Sequence, residues 1–221
     1  MQVNRLTFLV VASALLGCGG GGGSDYGGPT NPPPPPPPPG NQQTLGSITT
    51  NVSTVNLGAG NTQTITVSAF DTQNALIANP GTPTFSSSQS AIAEVDGQGV
   101  VLAISQGTST VNVSLTVGTV TKTATVAVNV TGTLPSSADV IASSGDYTFT
   151  PKNVAIGRGG SVTWTFGGIE HTVTFTSTAG APASISSGGY STAISRTFTA
   201  AGNFAYICTL HPGMSGQVVV R

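Results

Sequence analysis

Three side chains with an affinity for soft metals fall at intervals of three near the C-terminus. In FAYICTLHPGMSG, residues 204–216, Cys208, His211 and Met214 put a thiol, an imidazole and a thioether into one short segment. The set reads either as metal ligands or as a buried cysteine beside a turn. Its flanks bear on the choice. On the period-two alternation of a strand, Phe204, Tyr206 and Cys208 share one face, while Ala205 and Ile207 share the other. With the aromatic face turned inward, the thiol emerges at the end of a buried row. Thr209 and Leu210 open a turn, Pro212-Gly213 tightens it, and Met214 closes it before a return strand over Gln217–Val220. The loop therefore folds its three donors toward one point.

A fourth donor must come from elsewhere, and the chain has two histidines in all. His171 opens the run HTVTF, in which His171, Val173 and Phe175 share the inward face. The 37 residues from His171 to Cys208 leave room for a strand, a loop and a second strand returning to the same end of a sandwich. Ligand type then selects the metal. Zinc prefers several thiolates, imidazoles or carboxylates, and a thioether suits it poorly. Two imidazoles and a thiolate in a plane, with a weak axial methionine, suit copper in both oxidation states. No coordination position is left open for a substrate, so the expected activity is outer-sphere electron transfer at one mononuclear copper. Two histidines are also too few for a multicopper oxidase or nitrite reductase, and a dinuclear centre needs a second cysteine in the loop. The reading is therefore non-enzymatic.

The elements around these residues read as β throughout. From Asp139 onward the runs are YTFTPKNVAI, SVTWTF, HTVTF, SRTFTAAGNFAYIC and GQVVVR. FTPKNVAIGRGGSVTWTF, HTVTF and YICTLHPGMSGQVVV together resemble the cupredoxins of the plastocyanin and amicyanin type. The resemblance implies a Greek-key β-sandwich over 139–221, with His171, Cys208 and His211 as strong copper ligands and Met214 as the axial one. The short Cys-x2-His-x2-Met spacing is that of the amicyanin-like members. Thr172 stands where many members carry asparagine, so its hydroxyl is expected to make the link to the ligand loop, beside Thr209. Trp164 is expected in the core.

Residues 45–131 alternate as well, in TQTITVSAF, AIAEVDGQGVVLAIS, STVNVSLTV and TATVAVNV, with Asp96-Gly97 at a hairpin turn. FSSSQSAIAEVDGQGVVLAISQGTSTVNVS resembles the bacterial Ig-like domains of surface proteins, with Phe85 where many members carry tryptophan. TGTLPSS, residues 131–137, reads as the linker between the two sandwiches. The fold expected is thus all-β, an Ig-like sandwich followed by a cupredoxin sandwich.

The N-terminus adds a location. LTFLVVASALLG is an apolar run too short to span a bilayer, which takes about 20 residues, and it suits the core of an export signal. LLGC resembles the bacterial lipoprotein motif, which implies a signal peptide over 1–17 and a lipidated Cys18 anchoring the chain to a membrane. The absence of an acidic residue after Cys18 implies, on the same resemblance, the outer membrane. Residues 18–44, Gly-rich and then carrying eight prolines from Pro32 to Pro39, read as a disordered tether with a polyproline II rod. An acylated Cys18 leaves Cys208 without a disulfide partner, and metal ligation gives that lone thiol a reason.

Composition narrows the partners. Only 6% of residues are charged and the net charge is −1, so there is no basic stripe for nucleic acid. Redox proteins docking near His211, over Leu210 and Pro212, are the partners expected. Copper capture without redox turnover, and surface adhesion by the Ig-like part, are the rival readings.

Overall fold

The computed structural model describes residues 43–221, except 177, 190 and 191. The signal peptide, Cys18 and the tether as far as residue 42 lie outside the described residues. Every regular element among the described residues is a β-strand, as the alternation predicts. Thr and Val are the commonest residues in these strands because their branched side chains fit a pleated, half-buried surface.

The N-terminal strands form three sheets. Val120–Thr131 and Gly107–Val117 make a long antiparallel hairpin, flanked by Thr54–Gly58 on one side and Thr84–Ser87 on the other. Ala93–Val95 pairs with Val100–Ala103, which pairs in turn with Thr62–Thr64, and Leu45–Thr50 pairs with Val67–Asp71. Val101, Val111, Val113, Val126 and Val128 fill the space between them. The turn expected at Asp96-Gly97 is present but longer, spanning Asp96 to Gly99. Asp96 Oδ1 accepts the N–H groups of Gln98 and Val100, both at 2.9 Å, and the left-handed residue is Gly99 (φ 80°), not Gly97. A carboxylate that satisfies two turn amides favours this wider form over a two-residue turn.

The C-terminal strands form two sheets packed face to face. One has the order Phe149–Thr150, Ser137–Ala142, Ser161–Phe166, Ala193–Thr197. The other runs Asn153–Ile156, Ser215–Val220, Gly202–Ile207, His171–Phe175, Ile185–Gly188. The single run SRTFTAAGNFAYIC divides between these sheets. Ala193–Thr197 joins the first and Gly202–Ile207 the second, with buried Phe198 in the crossing. The small-residue AAG segment, with Ala200 against the core, carries the chain from one layer to the other. Trp164, Phe166, Phe198, Phe204 and Tyr206 are the largest fully buried side chains of this half, and Trp164 is core as expected.

Tyr206 meets Trp164 edge-on at 5.4 Å and Phe149 at 4.9 Å. Its strand neighbour is Gly216, where a Cβ would lie 2.5 Å from the Tyr206 hydroxyl and from the Lys152 carbonyl. Only glycine lets the last strand pass over the phenol.

The described residues fall in one compact unit. The expected linker is short, Gly132–Ser136 between strands, and Leu134 within it packs on an apolar pad of Leu102, Ile104, Ala155 and Val219. Glu94 takes the Asn203 amide on one carboxylate oxygen and the Gln217 amide on the other, both at 3.3 Å.

Candidate metal centre

The antiparallel ladder of Gly202–Ile207 with Ser215–Val220 ends at the Ile207–Ser215 pair. One further bond continues it, from Cys208 N–H to the Met214 carbonyl at 3.0 Å, and the Met214 N–H closes onto the His211 carbonyl at 3.2 Å. Gly213, at φ 88°, makes the reversal that brings the chain back. The loop thus rests on a paired ladder whose inward residues are buried, and its donors inherit that rigidity. As the alternation predicts, Phe204, Tyr206 and Cys208 are buried, while Ala205 and Ile207 are exposed.

His171 arrives from the neighbouring strand. It is fully buried, and its ring lies on Phe166 at 6.4 Å with an interplanar angle of 26°. Its Nε2 makes no hydrogen bond among the described residues, so packing and strand backbone set the ring's orientation. The Nδ1 atoms of both histidines face one sulfur. Cys208 Sγ lies 3.9 Å from Nδ1 of His171 and 3.4 Å from Nδ1 of His211. The ligand atoms of His171, Cys208 and His211 all fall within 4.8 Å of one another. Met214, 3% exposed, is buried in the same core as Cys208.

These distances suit a shared cation. Metal–sulfur and metal–nitrogen bonds of about 2.3 and 2.0 Å, at tetrahedral to trigonal angles, put sulfur and nitrogen about 3.5–3.7 Å apart. The two observed separations bracket that value. The donors are soft and intermediate, with no carboxylate in the cluster, which is the chemistry that favours copper over calcium or magnesium. Burial, and secondly the proximity of His211, push His171 below the ordinary histidine range. Its imidazole is therefore neutral at neutral pH, with a lone pair available to a metal.

Thr172 and Thr209 lie directly behind the donors. Thr172 N–H points at Cys208 Sγ at 3.4 Å, and its hydroxyl oxygen accepts the Thr209 N–H at 2.8 Å. The two hydroxyls are also 3.0 Å apart. Thr172 thereby ties the strand of the first histidine to the loop of the other three donors, and this explains why it is buried although it sits off the inward face. Thr172→Val leaves the part-buried Thr209 amide without an acceptor. The metal-free protein should lose about 1–2 kcal/mol of stability, read as a lower melting temperature, and Thr172→Ser should restore it.

His211 alone among the donors is half-buried. Leu210 (48% exposed) precedes it and exposed Pro212 follows it in the chain. Tyr147, from the turn that follows Ser137–Ala142, stacks on the His211 ring with centroids 4.6 Å apart and planes at 29°. Nothing in the spacing of the metal-binding residues indicates that contact, and its sole trace in the sequence is an aromatic inside the polar turn SSGDYT.

Comparison with known proteins gives a consistent result. Residues 136–221 match the family described as copper binding proteins, plastocyanin/azurin family. Among solved structures, the reduced form of an amicyanin variant is 30% identical, with 38% of this chain and 82% of that one covered and a TM-score of 0.35. Amicyanin from Paracoccus versutus is 27% identical over 38% of this chain and 81% of its own, with the same TM-score. A purple cupredoxin from Nitrosopumilus maritimus is 23% identical, covering 38% of this chain and 99% of its own with a TM-score of 0.34. No curated protein matches the chain.

Proposed function

The C-terminal sandwich of this chain belongs to the copper-binding plastocyanin/azurin family, and on that premise we propose that the protein is a type 1 copper electron carrier held at a membrane surface. The observation that carries the reading is the convergence of two Nδ1 atoms on the Cys208 sulfur. In this reading His171, Cys208, His211 and Met214 hold the metal. Copper bound there supplies a Cu(II)/Cu(I) couple that takes up and releases one electron.

The protein's own part is to hold the donors still. His171 and Cys208 are fixed by the sheet, Thr172 locks the sheet to the loop, and the Met214–Cys208 backbone bond fixes the loop to itself. A frame that does not rearrange adds little to the barrier for gaining or losing an electron. His211 is the donor nearest the surface, and Leu210 and Pro212 on either side of it give an apolar, uncharged patch. Such a patch suits brief redox encounters, which bury little area. The lipidated Cys18, the tether of residues 18–44 and an Ig-like domain over 45–131 would place this port away from a bacterial outer membrane. The alternating strands of residues 45–131 and the LLGC motif support that arrangement.

The test is to load the full chain with Cu(II) and follow its visible spectrum and voltammetry. Intense thiolate-to-copper absorption with reversible one-electron reduction is the expected result. A colourless Cu(I) protein that resists reoxidation would make it a capture protein instead.

A further inference from the structure

The His211 ring has two neighbours of its own kind. His171 lies on one side, centroids 4.8 Å apart and tilted by 58°, and Tyr147 is stacked on it at 4.6 Å. Tyr147 is 49% exposed, and the one ring that stacks on it among the described residues is the imidazole. Its backbone is unusual too. At φ 53° it occupies the left-handed region, which a tyrosine enters only at an energetic cost.

The turn that imposes this conformation is well tied. Ser143 N–H donates to the Thr148 carbonyl at 2.9 Å, and the Thr148 hydroxyl donates to Asp146 Oδ1 at 2.8 Å. Immediately after it Phe149 is buried against Tyr206, which anchors the turn in the core. An unfavourable backbone angle, held by a hydrogen-bonded turn and presenting an aromatic to the one donor that is not locked inside the sandwich, calls for a role at that donor. His171 needs no such aid, since the sheet and Phe166 enclose it.

We propose that Tyr147 is the positioning residue of His211: it clamps the imidazole in the orientation that aims Nδ1 at Cys208 and keeps water off that face of the ring. This rests on the copper reading above for its purpose but not for its test. A clamped ring loses less freedom on metal binding, so affinity rises. A ring shielded from water disfavours the more highly charged oxidation state, so the reduction potential rises as well.

The experiment compares the full chain with Tyr147→Ala and Tyr147→Phe. In the metal-free protein, nitrogen and ring-proton NMR signals of His211 should be single and sharp in the parent and in Tyr147→Phe, and broadened in Tyr147→Ala. Cu(II) affinity, by competition with a chelator, should fall about two- to tenfold in Tyr147→Ala, the range one aromatic pair commands. The potential should shift downward in the same variant and stay in place in Tyr147→Phe. Unchanged His211 signals and affinity in Tyr147→Ala would overturn the proposal, as would a Tyr147→Phe variant that behaves like Tyr147→Ala. A parent protein without the visible copper band sinks the carrier reading, while the metal-free signals still decide the role of Tyr147.

Discussion

Cys208→Ser should abolish the visible absorption of the copper-loaded protein and lower its copper affinity by more than about a hundredfold. That magnitude exceeds what the loss of an outer hydrogen bond costs a metal site. Cys208 is the one sulfur facing both Nδ1 atoms, and it is a free, buried thiol. Thr172 N–H is already aimed at it, so the strand backbone holds the sulfur where the two imidazoles meet it. A serine hydroxyl in the same place keeps its proton and offers a hard, short donor, so the charge-transfer band has no origin and the cation has two imidazoles and a thioether left. The fold should survive, because Thr172 N–H can donate to the new oxygen. Spectra and chelator competition on parent and variant check this. A band that persists in Cys208→Ser would exclude the assigned thiolate.

Tyr206→Ala should cost about 3–5 kcal/mol, the range for emptying a large aromatic site in a core. That is comparable to the entire stability of many domains, so the C-terminal sandwich should unfold at or near room temperature. The side chain has no exposed surface, and Trp164, Phe149 and Phe175 all pack on it. It also lies two residues before Cys208 on the same face, so its loss takes the metal loop with it. Tyr206→Phe separates the ring from the hydroxyl. The hydroxyl is buried with the Trp164 indole N–H as its polar neighbour and makes no well-formed hydrogen bond among the described residues, so its removal should change stability by no more than about 1 kcal/mol. Burial also holds this phenol above its ordinary pKa of 10. The folded state keeps the proton that the unfolded chain gives up, so this stabilisation is complete below pH 10 and declines as the solution becomes more alkaline. Chemical unfolding of parent and Tyr206→Phe at neutral and alkaline pH should show the decline reduced in the variant.

The metal centre was the most legible part of the chain because its side chains are rare and their chemistry is narrow. With two histidines and one cysteine beyond the N-terminal segment, the set that the structure draws together was the only one to be had. Alternation likewise located the buried row that ends at Cys208, since a strand has one period and one inward face. What resisted reading was whatever depends on backbone geometry or distant contact. The left-handed angle at Tyr147 follows no spacing rule. The division of SRTFTAAGNFAYIC between two sheets is a matter of which layer accepts each segment, and periodicity is the same in both. Thr172 was recognisable as a link, but its partner, the Thr209 amide, became apparent only from the geometry.

Glu94 accepts amides from two adjacent strands, Asn203 and Gln217, which lie 109 and 123 residues further along the chain. With the apolar pad beside it, this makes the N-terminal sheets a handle on the C-terminal sandwich, not a bead on the same string. The face bearing His211 then turns as the N-terminal sheets turn, and a partner held beside those sheets would meet it over fewer relative orientations than across a free joint.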